Sequence, residues 1–340
     1  MPSSEFSYWG GTDRDRETVR SLIQSGHIDC IHSFGDLAST RGQAAETLEH
    51  LEKHDCKLRV WIDHAVAPSN FGADIMGGFG DVPGHDVYHA DLTLDFGIEF
   101  IWVGRVTSIQ GQDVPPSLTG IGSGGGHSYQ FKTVAKEAAK IVLGRTGNEK
   151  YRMHATNDLL RGTRLRDGQT SIEFLRSNPH PGGISCGDNS AGLGTAINSS
   201  YLDRLEKRNA RAVVYTHMGK KIDPDSGFCA DSRRALEELA QRFHDGNILV
   251  TTTYRLLNFA RLIGDVKLNV RERDECIEIS VGGVASDVAL DGLSIDVPVS
   301  REYELVRDGK QLPFRTIPCE HDKTKKVLVI DWHRLDYPDF

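Results

Sequence analysis

Two rhythms of apolar and polar positions run along the chain, and the change between them falls near residue 265. Over 14–25 (RDRETVRSLIQS), Val19, Leu22 and Ile23 share one helical face, and Gly26 supplies a stop. A short apolar run, Ile28 to Ile31, follows. Residues 40–54 set Ala44, Leu48 and Leu51 in register for a second helix, while KLRVWI (57–62) and IEFIWV (98–103) read as buried strands. Further along, the spacing predicts a helix over 130–144, a strand over 171–175, a helix over 201–209 leading into RAVVY (211–215), a helix over 231–244 leading into ILVTT (248–252), and a last helix over 254–263. Strands alternating with helices imply parallel βα units. Six or seven such units over ~260 residues suit a barrel better than a compact open sheet, although periodicity alone does not separate the two. From about residue 265 the helical period fades. CIEISV, LSIDVPV, REYELVRDG and KVLVIDW alternate with period two, and Asp291-Gly292 and Asp308-Gly309 are turn signals. The expectation is an α/β part over 1–264 followed by a small antiparallel β-sandwich module over 265–340.

Composition narrows the function classes. A chain of 340 residues has room for about two domains. Its formal net charge of −8 argues against a general nucleic-acid binder. No stretch approaches the ~18–20 apolar residues of a membrane span. Met1-Pro2-Ser3-Ser4-Glu5 has neither the basic nor the apolar region of a secretory signal, and six scattered Cys without a CxxC pair read as reduced thiols. A cytoplasmic location is therefore expected. Thirteen Gly between residues 72 and 126 mark loops expected to be mobile and to sit at the rim of a scaffold. Within them GSGGGH lacks the Lys-Ser/Thr of a phosphate-binding loop and reads as flexible chain.

The segment Gly26-His27-Ile28-Asp29-Cys30-Ile31-His32-Ser33-Phe34-Gly35-Asp36 carries the sharpest chemical signal. His32 and Asp36 are four apart, so one helical turn after the strand would let them share a divalent cation with a position open to water. The competing reading is a core His and a helix N-cap. Asp63 and His64 follow KLRVWI at a strand end, where polar side chains line an active-site mouth. Asp63 is a candidate general base or ligand and His64 a candidate ligand or acid. Asn70 and Asp81 in the loop beyond, and His85 and His89 four apart, are candidate substrate contacts. So are Trp102, which could stack on a sugar, and Arg105 and Arg176, each just past a strand. His217 ends RAVVYTH and is the candidate general acid.

GHIDCIHSFGD resembles the GHEIgxHSxxH signature of the NodB-homology polysaccharide deacetylases, carbohydrate esterase family 4, with Gly26, His27, Ile28, His32 and Ser33 matching. The resemblance covers roughly residues 6–263 in order, and its specific part is 26–36. It implies a distorted (β/α)7-type barrel, a carbohydrate or glycan partner, and a zinc-like divalent metal held by both His of HSxxH. Asp36 stands here in place of the second. It also implies that a His at the end of a late strand, matched by His217, assists the leaving group. The family's first motif, an Asp-Asp pair supplying the base and a ligand, has no counterpart, since Asp13 and Asp15 read as a helix start. Either that strand lies upstream of residue 1 or the site is rebuilt from later residues. The expected function is metal-dependent removal of an N- or O-acyl group from a carbohydrate. A glycan-binding barrel without catalysis, and a glycoside hydrolase using two carboxylates such as Asp63 and Asp81, are the alternatives.

Overall fold

The structure, a computed structural model, describes residues 8–34, 40–119, 121, 127–220, 227–273, 276–284, 290–319 and 322–339. The chain divides into two units, one formed by Ile28–Thr253 and the other by Met1–His27 with Tyr254–Phe340.

The first unit is organised by short parallel strands. β1 (Cys30–His32), β2 (Val60–Ile62) and β3 (Phe100–Trp102) pair so that Cys30, Val60 and Phe100 form one rung and His32, Ile62 and Trp102 the next but one. Downstream lie β4 (Val106–Thr107), β5 (Leu160–Arg164), β6 (Thr170–Phe174) and β7 (Arg176–Ser177). The five-stranded sheet runs β1-β2-β3-β6-β5, with β5 antiparallel at its edge. Just past the ends of β3 and β6, β4 and β7 form a parallel pair, and Ser177 bridges Val214 in the same sense. The row of strand ends therefore extends to the 213–217 segment.

Helices Arg41–Lys53, Ser199–Arg208 and Ala230–His244 form where the apolar spacing predicts them. The first starts at a Thr40–Gln43 capping box and buries Ala44, Leu48 and Leu51. Leu193, Tyr201, Leu202 and Ala235 make a core between the later helices. Two expected strands are corrected. RAVVY contributes only isolated bridges, at Arg211 and Val214. ILVTT forms no strand, and Leu249 and Val250 are exposed, because an apolar run without a ladder partner does not make a sheet. No sheet closes among the described residues, so the fold established is mixed α/β, with ten α-helices among them.

The second unit holds the remaining strands: β8 (Lys267–Glu272), β9 (Ile277–Gly282), β10 (Ser294–Pro298), β11 (Tyr303–Arg307), β12 (Lys310–Gln311), β13 (Arg315–Pro318) and β14 (Lys325–Val329). They form sheets of order β12-β11-β9-β8 and β10-β14-β13, which share a core of Ile279, Val281, Leu305 and Leu328 among others. Asp308 and Gly309 both take positive φ, 50° and 76°, giving the mirror-image turn that suits a two-residue hairpin between β11 and β12. The antiparallel expectation needs one correction, since β9 and β11 pair in parallel. The helix Asp13–Gln24 and most of the helix Thr253–Leu262, which the sequence pattern groups with the α/β part, belong to this unit. No helix among the described residues is long and apolar enough to cross a membrane.

Candidate functional site

Strand alternation decides which side chains meet. Successive residues of a strand face opposite sides, and partners in a parallel register face the same side. Cys30, His32, Ile62 and Trp102 thus share one face of the sheet, while Ile31, Trp61 and Ile101 share the other. Ser33 takes φ 57° directly after His32, turning the chain sharply where β1 ends. His64, two residues beyond Ile62, brings its ring against that of His32, with centroids 4.6 Å apart and planes at 76°.

Arg176 enters the same face from β7. Its guanidinium lies over the Trp102 ring at 3.7 Å and over the Tyr215 ring at 3.8 Å. Tyr215 also reaches the His32 ring, at 6.5 Å between centroids, and its hydroxyl lies 2.5 Å from His217 Nε2. His217 Nδ1 is 2.8 Å from the Asp188 carbonyl oxygen, which can only accept, so Nδ1 carries the proton. In the neutral ring Nε2 then accepts from the Tyr215 hydroxyl, and Lys220 Nζ stands 3.4 Å from the same nitrogen. His32 is open to solvent on one side and walled by protein on the other. This crowding, then the positive charges of His64, Arg176 and His217, pull its pKa down to about 4, so the ring is neutral at pH 7. Burial lowers the Arg176 pKa to about 10 and raises those of the Cys30 thiol and the Tyr215 phenol.

The remaining candidates are built into the scaffold instead. Asp63 is buried, with Oδ1 accepting from Trp61 Nε1 at 2.7 Å and from Phe71 N at 2.9 Å, and Oδ2 from Gly72 N at 2.9 Å. Its carboxylate braces the loop, with both oxygens engaged by N–H donors. Asn70 accepts from His64 N and donates to the carbonyls of His64, Ala65 and Met76, holding the His64 turn. Asp81 is buried and pairs with Arg166. His89 is fully buried between Ser69 O and Thr93 Oγ1, which leaves no nitrogen for a ligand. His85 lies outside, stacked on Phe79 with centroids 4.7 Å apart. Arg105 pairs with Asp74 and Glu173, and its carbonyl accepts from Trp102 Nε1. The loop over 70–89, expected to be mobile, is laced by these bonds. Asp36 and the GSGGG run lie outside the described residues. A surface cavity of about 610 Å³ lined by Glu149, Arg161 and Arg164 among others shares no residue with the strand-end cluster.

Of the expected metal ligands, His32 and His64 are together, and among the described residues no group of three His, Cys, Asp or Glu is arranged to hold an ion. Two imidazoles are competent donors but do not complete a ligand set. Comparison with known protein families, with curated proteins and with solved structures returns no match. Two members of the cluster are additions to the sequence expectation: Tyr215, and Cys30 beside Arg176. Both were accessible to the period-two rule, which puts Tyr215 on the side of His217 and Cys30 on the side of His32.

Proposed function

We propose that this chain is a hydrolase that removes an N- or O-acyl group from a carbohydrate, working at the strand-end cluster of a barrel-type α/β unit. The observation that carries the reading is the convergence of His32, His64, Arg176, Tyr215 and His217, from four separate segments, at the carboxyl ends of parallel strands. That is where α/β folds place their chemistry. In the proposed reaction water adds to the acyl carbonyl carbon, the C–N or C–O bond of the acyl group breaks, and a proton passes to the leaving amine or alkoxide. The Tyr215–His217 pair is suited to that proton traffic, because a phenol and an imidazole, both able to give and take a proton, lie within hydrogen-bond distance of each other. Trp102 and Tyr215 hold Arg176 in place as a fixed positive charge beside the cluster. A zinc-like ion at His32 and His64 would polarise the acyl carbonyl.

One observation favours the second reading, a glycan-binding protein without catalysis. Asp63, the carboxylate nearest to hand as a base, has both oxygens occupied by N–H donors. Acetate release separates the two. Purified protein is incubated with acetylated mono- and oligosaccharides, alone and with zinc, cobalt or nickel. The hydrolase reading expects acetate release that falls by about 100-fold in His217→Ala. No release under any metal condition leaves the binding reading.

A further inference from the structure

Three arginines are buried among the described residues, Arg105, Arg176 and Arg307. Arg105 pairs with Asp74 and Glu173, and Arg307 donates to Val284 O and lies beside Asp308. Arg176, only 6% exposed, has neither kind of partner among the described residues. Its Nε is enclosed without an acceptor, and no described residue gives its guanidinium a hydrogen bond or an ion pair. The described groups that face it are the Trp102 ring, the Tyr215 phenol, the Cys30 thiol and the His32 ring, none of them a carboxylate. A buried cation without a counter-charge is costly, and proteins place one where a ligand completes it. Aromatic rings at 3.7 and 3.8 Å cover the guanidinium and its Nε is enclosed, so the edge formed by its two terminal nitrogens is what remains for a ligand. That edge matches a planar anion with two oxygens, met side-on.

We propose that the Arg176 edge is a carboxylate subsite and that the sugar taken at this cluster is an acidic one, a uronic acid or a sugar bearing an equivalent ring carboxylate. The carbohydrate half of this assignment rests on the proposed function. The carboxylate half rests on Arg176 alone. His32 and the Tyr215–His217 pair adjoin the same guanidinium, so a sugar anchored there by its carboxylate presents its other substituents to them.

The test is calorimetric titration of the full wild-type chain with D-glucuronate, D-glucose and inorganic phosphate. The expected result is glucuronate binding about tenfold or more tighter than glucose, with phosphate failing to displace it. In Arg176→Lys the advantage of glucuronate over glucose shrinks by about tenfold. Equal affinities for the two sugars, or displacement of glucuronate by phosphate, overturn the proposal. So does an undiminished preference in a folded Arg176→Lys protein. Should that variant not fold, the wild-type comparison decides by itself. The acetate assay keeps the two readings apart. Glucuronate preference without acetate release sinks the hydrolase and keeps the subsite. Equal release from neutral and acidic acetylated sugars keeps the hydrolase and sinks the subsite.

Discussion

Asp63 and His64 are adjacent in sequence and leave β2 on opposite sides. His64 meets His32, while Asp63 turns to Trp61 and the backbone of the following loop. Trp61 itself belongs to an aromatic cluster with Phe34, Phe71 and His89 on that other side. A carboxylate so placed acts through structure. Asp63→Ala would leave Trp61 Nε1 and the N–H groups of Phe71 and Gly72 without an acceptor in a buried setting. The expected loss is on the order of 3 kcal/mol in urea denaturation at neutral pH. A loss below about 1 kcal/mol would mean that the loop finds other acceptors and that Asp63 is free for chemistry. At this scale the sequence shows which residue types stand at a strand end. It shows which side each one takes only when the period-two rule is carried past the last residue of the strand, and that step separates Asp63 from His64.

Among the elements, amphipathic helices were the legible part. The pattern over 14–25 corresponds to the helix Asp13–Gln24, with its Thr12–Asp15 capping box, and that over 40–54 to Arg41–Lys53. Their stripes and caps are local, so neighbouring residues carry the whole signal. The edge strand β5, the parallel pairing of β9 with β11 and the absence of a strand at 248–252 depend on distant partners, which no local window contains. The glycine-rich loop after β2 is the instructive failure, because composition reads it as slack and packing makes it tight. A Cβ on Gly78 would stand 2.1 Å from the Asn70 carbonyl oxygen, and Gly78 N donates to Gly72 O. Gly78→Ala therefore forces apart the turn in which Asn70 holds His64. The expectation is a destabilisation of about 1–3 kcal/mol, read by thermal unfolding. Gly84, whose Cβ would meet nothing within 4 Å, sits at φ 82° and provides the comparison. There an Ala pays only for the left-handed backbone, about 1–2 kcal/mol, with the Asn70–His64 bonds intact. A Gly78→Ala protein as stable as wild type would show the loop to be as slack as its composition.

At the scale of the molecule, the site is a product of strand order. Trp102, Arg176 and Tyr215 are far apart in sequence, and they meet because β4 and β7 pair just past β3 and β6 and because Ser177 bridges Val214. The sequence predicts strands but not their order, so it offers Arg176 as a candidate contact just past a strand without the Trp102 and Tyr215 rings that enclose it. The same burial that builds the unit Ile28–Thr253 also sets its response to acid. His89 and His154 are buried and neutral, and burial pulls both pKa values from 6.5 to about 4. Between those values the unfolded chain binds protons that the folded one does not, so each ring contributes stability that is complete above pH 6.5 and is lost as the pH falls toward 4. For His89 this is on the order of 3 kcal/mol. Asp63 works in the opposite direction. Burial raises its pKa from 3.8 to about 6, so its contribution is present below pH 3.8 and is lost as the pH rises through 6. With His32, whose pKa also falls to about 4, three histidines against one carboxylate leave a net fall on acidification. Urea midpoints measured at pH 6.5 and 4.5 should drop for the wild type and drop less for His89→Asn, which keeps a polar side chain but has no proton to take up. If His89→Asn shows the same drop as the wild type, His89 is not the group that senses acid, and its pKa is the same in the folded and unfolded chain.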